Sequence, residues 1–334
     1  MEPIFRSDVN DPQTTTPARR APSIRRTSNV DMSFAAEGEL LIRGACRDLS
    51  TTADGTTVLG SADIDARLGP RHILRSLTVT PSRDTGPLLG SSVGAGFRAK
   101  LEETFRADHA AGTPLYLLLD ELPVAALISG YALLASGALE GGAGATHQAD
   151  ICAGWRSDGF MLVSIRTTGR MPTPVGPPAP ALTPADDPAA WHELPPLAIG
   201  SMRRRRLVDV SGGDEDGPLD VFAMFRDSHV KDDGRELILH EYSLTAQIDP
   251  LLGVLTDCVA HERVLPWNEC PAAAASAGRL DGRSLTEIRA VVRREFRGIE
   301  TCTHLNDLLR SLGDLAVLAP LVAPTLRAGE PPTR

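Results

Sequence analysis

Four short segments in the last third of the chain gather the side chains able to do chemistry. They are FRDSHV with Asp227 and His229, LHEY with His240 and Glu241, NECP with Glu269 and Cys270, and CTHLND with Cys302, His304 and Asp307. The first two read as strands, and the last two open helices. Unpaired N–H groups and the dipole at a helix start favour thiolate over thiol, and thiolate is the form that binds metal or attacks an electrophile. One residue separates Cys302 from His304, so a single turn aims both inward. His240, Cys270, Cys302 and His304 thus make a candidate set of two sulfurs and two nitrogens, suited to zinc, iron or an iron–sulfur centre. Asp227, His229, Glu241 and Asp307 remain as groups that orient ligands or move protons. No CxxC or HxxxH spacing is present. A plainer account makes both cysteines small core residues and His240 one more strand position.

The elements that must position these residues are legible in outline. RLVDV (206–210), LDVFAMF (219–225), ELILHEYSLTAQI (236–248) and GVLTDCVA (253–260) are alternating or β-branched, several separated by Asp-Gly or Asp-Pro turns, so they read as antiparallel strands. Pro271 begins a small-residue helix in CPAAAASAGRL, and Ser284 with Glu287 forms a capping-box pattern before LTEIRAVVRREF. A third helix starts near His304. The class is α+β, an antiparallel sheet followed by helices. The run Arg203–Arg206 reads as a solvated or salt-bridged edge.

A similar order recurs earlier. CRD (46–48), Asp54-Gly55 and a strand ending Ile64-Asp65 precede LLLDEL (117–122); FRD (225–227), Asp233-Gly234 and a strand ending Ile248-Asp249 precede HLNDLL (304–309). The expectation is two diverged copies of one plan, with Asp48 matching Asp227 and Asp65 matching Asp249. Leu115 and Leu117 then stand where the second copy has Cys302 and His304, which leaves the first copy without ligands.

Composition bounds the rest. The chain has 334 residues, a formal net charge of −9, and only 4% aromatic residues. Acidity and scarce aromatics argue against a nucleic-acid binder. The uncharged stretch Val124–Leu139 is short for a membrane span and reads as a buried helix. Five cysteines with no apolar leader imply reduced thiols and a cytoplasmic location, without membrane partners. Residues 1–37 lack hydrophobic period and read as a disordered arm. Residues 171–200, dense in proline, read as a semi-extended linker between an N-terminal unit (38–170) and a C-terminal unit (201–325), with 326–334 as a tail.

The segments MRRRRLVDV, MFRDSHV, LHEYSLTAQID, RVLPWNECPAAAASAGRL and FRGIETCTHLNDLLRSL resemble a bacterial family known as domain of unknown function 2889. That resemblance covers residues from about Met202 to Leu315 and implies membership without an activity. CPAAAASAGRLDGRSLTEI is also similar to the helix region of IscU/NifU-type iron–sulfur scaffold proteins. The resemblance implies that Cys270 matches their middle cysteine, and that Cys302 with His304 matches their final histidine–cysteine element. A histidine, His240, stands where the first cysteine would be, and the final pair is reversed and spaced by Thr303. Three functions follow as expectations. One is a metal-binding protein. Another is an enzyme acting on a small organic substrate as hydrolase, lyase or isomerase, with Glu241 or Asp307 moving the proton. The third is a non-catalytic, two-lobed interaction protein.

Overall fold

Alternating apolar positions make strands near both ends of the chain, and those strands meet in one sheet. The computed structural model describes residues 4–35, 38–138, 148–212 and 217–323. A short β1 (Ile4–Phe5) is followed by β2 (Ser23–Phe34), β3 (Leu40–Thr52), β4 (Gly55–Gly69) and β5 (Ile73–Thr80). Helices α1 (Phe97–Thr104), α2 (Arg106–Ala110), α3 (Pro114–Ile128), α4 (Gly130–Ala135) and α5 (Phe160–Thr168) come next. After β6 (Thr173–Pro174), which pairs with β1, come β7 (Met202–Ser211), β8 (Leu219–Val230), β9 (Glu236–Asp249) and β10 (Val254–Val264). A 3-10 helix (Cys270–Leu280), α6 (Ile288–Glu295), α7 (Thr303–Ser311) and α8 (Leu315–Leu318) complete the set.

The eight long strands form an antiparallel sheet in the order β10–β9–β8–β7–β2–β3–β4–β5. The α+β architecture of antiparallel strands followed by helices is therefore as expected. β2 and β7 run side by side from Ser23 opposite Ser211 to Met32 opposite Met202, so the two halves share one sheet. This corrects the reading of residues 1–37 as a disordered arm, because residues 23–34 are a central strand. The helix-facing side of β2 carries Arg26 and Ser28 among Ile24, Val30 and Met32, which hides its apolar period. Asp48 and Asp314 meet the Arg26 guanidinium, and without them its burial would be costly. Residues 1–3, 36–37 and the 326–334 tail lie outside the described residues.

The arginine run is also inside the sheet rather than at an edge. Alternation along β7 aims Arg204 and Arg206 at the helices, and Arg203 and Arg205 at the opposite face. Residues 171–200 have little regular structure, yet they lie across that opposite face. Arg226 donates to the Pro180 carbonyl at 2.6 Å and Arg203 to the Pro195 carbonyl at 2.6 Å. Leu182 and Trp191 pack on Leu207 and Met224. Apart from β6 and a bridge of Pro178 to Leu237, the segment's backbone is outside the ladders, which leaves carbonyls such as those of Pro180 and Pro195 to these guanidinium groups.

Helices cover the other face over two apolar clusters, one beneath each half of the sheet. The stretch Pro114–Ala135 is apolar and long enough to cross a membrane, and most of it is buried within the protein. Its first part, α3, comes close to β3 because Gly44 has no side chain. A Cβ there would sit 3.0 Å from Ile64 and 3.1 Å from Leu118. Two helix starts differ from expectation. CPAAAASAGRL winds as a 3-10 helix. Ser284 bridges to Val254 instead of capping, which delays α6 to Ile288.

Candidate metal centre

On the helix-facing side of the sheet, β8 places Asp227 directly across from His240 on β9. The next pairing shifts by one residue, Ser228 falling opposite Ile238, so a bulge lies at the site. The first turn of α7 sets His304 over this pair. The imidazole rings of His240 and His304 stack with centroids 3.8 Å apart and planes 18° from parallel. His240 Nδ1 lies 3.5 Å from Asp227 Oδ2. One ligand atom from each of Asp227, His240 and His304 falls within 4.8 Å of the other two.

The surroundings set the charge states. Asp227 is fully buried, and both of its oxygens accept from Arg204 Nη1, at 3.1 and 3.2 Å. Arg204 also donates to Asp307 Oδ2 at 3.2 Å and lies 4.5 Å above the Phe225 ring. Burial, then His240, then Arg204 hold the His304 pKa well below the usual histidine value, so this ring is neutral at pH 7. His240 Nδ1 is buried and makes no hydrogen bond. Neutral imidazoles with free lone pairs are the form that ligates a metal. Ligand atoms on one zinc ion stand roughly 3.3 Å apart for bonds of about 2.0–2.1 Å. Closing 4.8 Å to that span takes side-chain rotation. The two histidines and the carboxylate are thus a group that could hold a divalent ion.

The other candidate ligands lie outside this group. Cys302 caps α7, its sulfur 4.0 Å from His304 Nδ1. Burial, followed by Cys152, pushes its thiol up to about 12. Cys270 opens the 3-10 helix, where its sulfur packs at Gly154 and its carbonyl accepts from Tyr242 Oη at 3.2 Å. Burial, then Cys302 and Cys152, raise its pKa well above the thiol range. Of the expected set of His240, Cys270, Cys302 and His304, the structure brings the two histidines together with Asp227, and the two cysteines lie outside that group. All five cysteines are buried and unpaired.

The acid–base candidates separate in the same way. Glu241 points to the opposite face, where it is fully buried, paired with Arg226, and accepts the Gln13 N–H. It cannot reach His304. His229 packs its ring against Tyr131, centroids 5.3 Å apart. Asp307, one turn beyond His304 on α7, is held by Arg98, Arg204 and Arg206. Burial raises its pKa, but Arg206, Arg204 and Arg98 together bring it below the usual carboxylate value, so it is no proton acceptor near neutrality. The sequence reading missed Arg204 as the group that fixes Asp227. The available signal was the alternation of the arginine run, which aims every second guanidinium at the helices.

No curated protein matches the chain. A solved structure described as lipopolysaccharide binding protein aligns over 92% of this chain and 80% of its own, at 8% identity and a TM-score of 0.15, which is too low to carry an argument. Residues 202–318 match the family model described as Protein of unknown function (DUF2889). That match runs from the first residue of β7 to the last of α8 and contains Asp227, His240 and His304. Over those residues alone, the chain is similar to that family.

Proposed function

We propose that this protein binds one divalent metal ion, zinc or iron(II), through His240, His304 and Asp227. The observation that carries the reading is the convergence of two imidazoles and a buried, arginine-held carboxylate within 4.8 Å. Three protein ligands leave a position for water or substrate, as catalytic metal sites do and closed structural ones do not. Two nitrogens and one oxygen suit zinc and iron(II) alike. An IscU/NifU-type centre would need thiolates, and Cys270 is not among the converging groups, so a mononuclear site is preferred to an iron–sulfur cluster.

This site belongs, in the same reading, to one of two diverged copies of a single plan. Register supports the duplication. β2 and β3 pair Arg26 with Asp48, and β7 and β8 pair Arg204 with Asp227; both pairs are ion pairs. The pairing with the following strand slips by one residue just after Asp48 and just after Asp227. Gly60 then occupies the place of His240, and Leu117 that of His304. By the same register Asp65, opposite Arg43, corresponds to Thr245, opposite Phe222, and not to Asp249. The N-terminal copy keeps the ion pair and has lost or never gained the imidazoles.

Cobalt(II) substitution tests the ligand set. The expected spectrum has d–d bands without a sulfur-to-metal charge-transfer band, and His304→Ala abolishes the d–d bands. A strong thiolate charge-transfer band would replace this ligand set with one that includes Cys302. Absence of any cobalt-dependent bands would remove the site.

A further inference from the structure

Beside α7, a groove of about 470 Å³ opens between the α1 and α3 helices and the α6–α7 pair. Its size falls within the range of small-molecule sites, about 300–1,000 Å³. Val124 and Leu127 line one wall, and Val292 and Phe296 the other. Leu127 is 54% exposed, a large apolar side chain left wet at the mouth. The charged lining is mostly guanidinium. Arg98 and Arg310 are already engaged by Asp120, Asp307 and Glu102. Two others have capacity to spare. Arg293 has Glu102 at 3.6 Å as its ion-pair partner. Arg297 donates to the Arg293 carbonyl at 3.2 Å, and among the described residues it has no carboxylate within ion-pair distance.

We propose that this groove binds an amphipathic monocarboxylate, an ionised acid with an alkyl body of medium length. The acid group would meet Arg297 and Arg293 at the rim, and the alkyl body would cover Leu127, Val124 and Phe296. Charge complementarity selects the class, since the molecule as a whole is acidic at −9 and would repel an anion elsewhere. Two other cavities on the molecule have mostly acidic charged linings: one has Asp31, Asp63, Asp65 and Glu193 against Arg43, and the other Asp209, Asp220 and Asp257 against Arg20. A polyphosphate fits less well, because Asp307 also faces the groove and much of the lining is apolar. Guanidinium pairs with a planar carboxylate through two parallel hydrogen bonds, which gives orientation as well as attraction.

Titration calorimetry on the full chain tests this with octanoate, octanol and acetate. Octanoate is expected to bind saturably at one site, with octanol and acetate at least roughly tenfold weaker, about 1.4 kcal/mol. Arg297→Gln and Leu127→Asp change exposed positions, so both variants should melt like the parent while each weakens octanoate roughly tenfold. No saturable heat with octanoate, octanol binding as tightly as octanoate, or undiminished binding by both variants would each overturn the proposal.

Discussion

Asp227 is the residue on which the site turns, because it faces His240 on one side and Arg204 on the other. Arg204→Lys keeps the charge but loses the planar fork, so the carboxylate should lose its fixed orientation. Metal affinity is then expected to fall about 10–100-fold, the usual cost of losing a partner behind a ligand. Zinc competition with a chromophoric chelator reads this directly. Cys302→Ser serves as the contrast. Its sulfur sits 4.0 Å from His304 Nδ1 and outside the converging group, so affinity should stay within about threefold, under 1 kcal/mol. These residues show how far a sequence reaches. The types Asp, His and His were visible in FRDSHV, LHEY and CTHLND, and the strand and helix carrying them were readable from periodicity. The ligand set was not, because cysteine is equally at home in a core, and only the β8–β9 register puts Asp227 opposite His240.

At the level of elements, α3 and α7 cross the sheet carrying Asp120, Glu121 and Asp307 into a layer of arginines. Asp120 meets Arg98, Arg289 and Arg310; Glu121 meets Arg206; Asp314 meets Arg26 and Arg289. Burial raises the Asp120 pKa, but Arg98, Arg310 and Arg289 outweigh it and hold the group well below the carboxylate range. Asp307 is lowered in the same way. A carboxyl depressed in the folded state contributes stability that is present above its unfolded value, about 4, and lost as pH falls through the folded one. His304, also depressed, remains neutral when folded while the unfolded ring takes up a proton below about 6.5, so its contribution is lost first. Metal-free protein should therefore lose stability in two stages on acidification, and His304→Gln should shrink the earlier one without abolishing it, because burial also lowers His72, His109, His192 and His229. Denaturant melts across pH measure both. Asp120→Asn, which leaves buried guanidinium groups short of a partner, should cost about 3–5 kcal/mol at pH 7. Trp191 makes a second test at this scale. It is 2% exposed and anchors residues 171–200 to the sheet, so Trp191→Ala should cost about 3–5 kcal/mol. Proline density correctly signals the lack of regular structure there. It says nothing of the guanidinium groups that hold the segment, because their inward or outward direction follows from the strand alternation of β7 and β8.

For the molecule as a whole, a sheet shared between two halves explains why β2 escaped the sequence reading. Its arginines are soluble-looking until β3, β7 and the helices surround them, and a buried ion network is invisible to hydrophobic periodicity. Such networks add little net stability, since desolvation offsets attraction, but a wrong register would leave a charge alone. The cross-strand pairs Arg26–Asp48 and Arg204–Asp227 thus fix how each half aligns, and the second pair also presents the carboxylate of the proposed metal site. If the halves are copies, the first retains the frame of the site without its imidazoles. Metal analysis of protein purified from cells tests the central claim most directly. The account predicts close to one equivalent of zinc or iron in the wild type, a sharp loss in folded His240→Ala and His304→Ala, and full retention in Cys270→Ser. Folded wild-type protein that holds no metal and takes up neither zinc nor iron(II) would contradict it, as would a His304→Ala variant that keeps its ion.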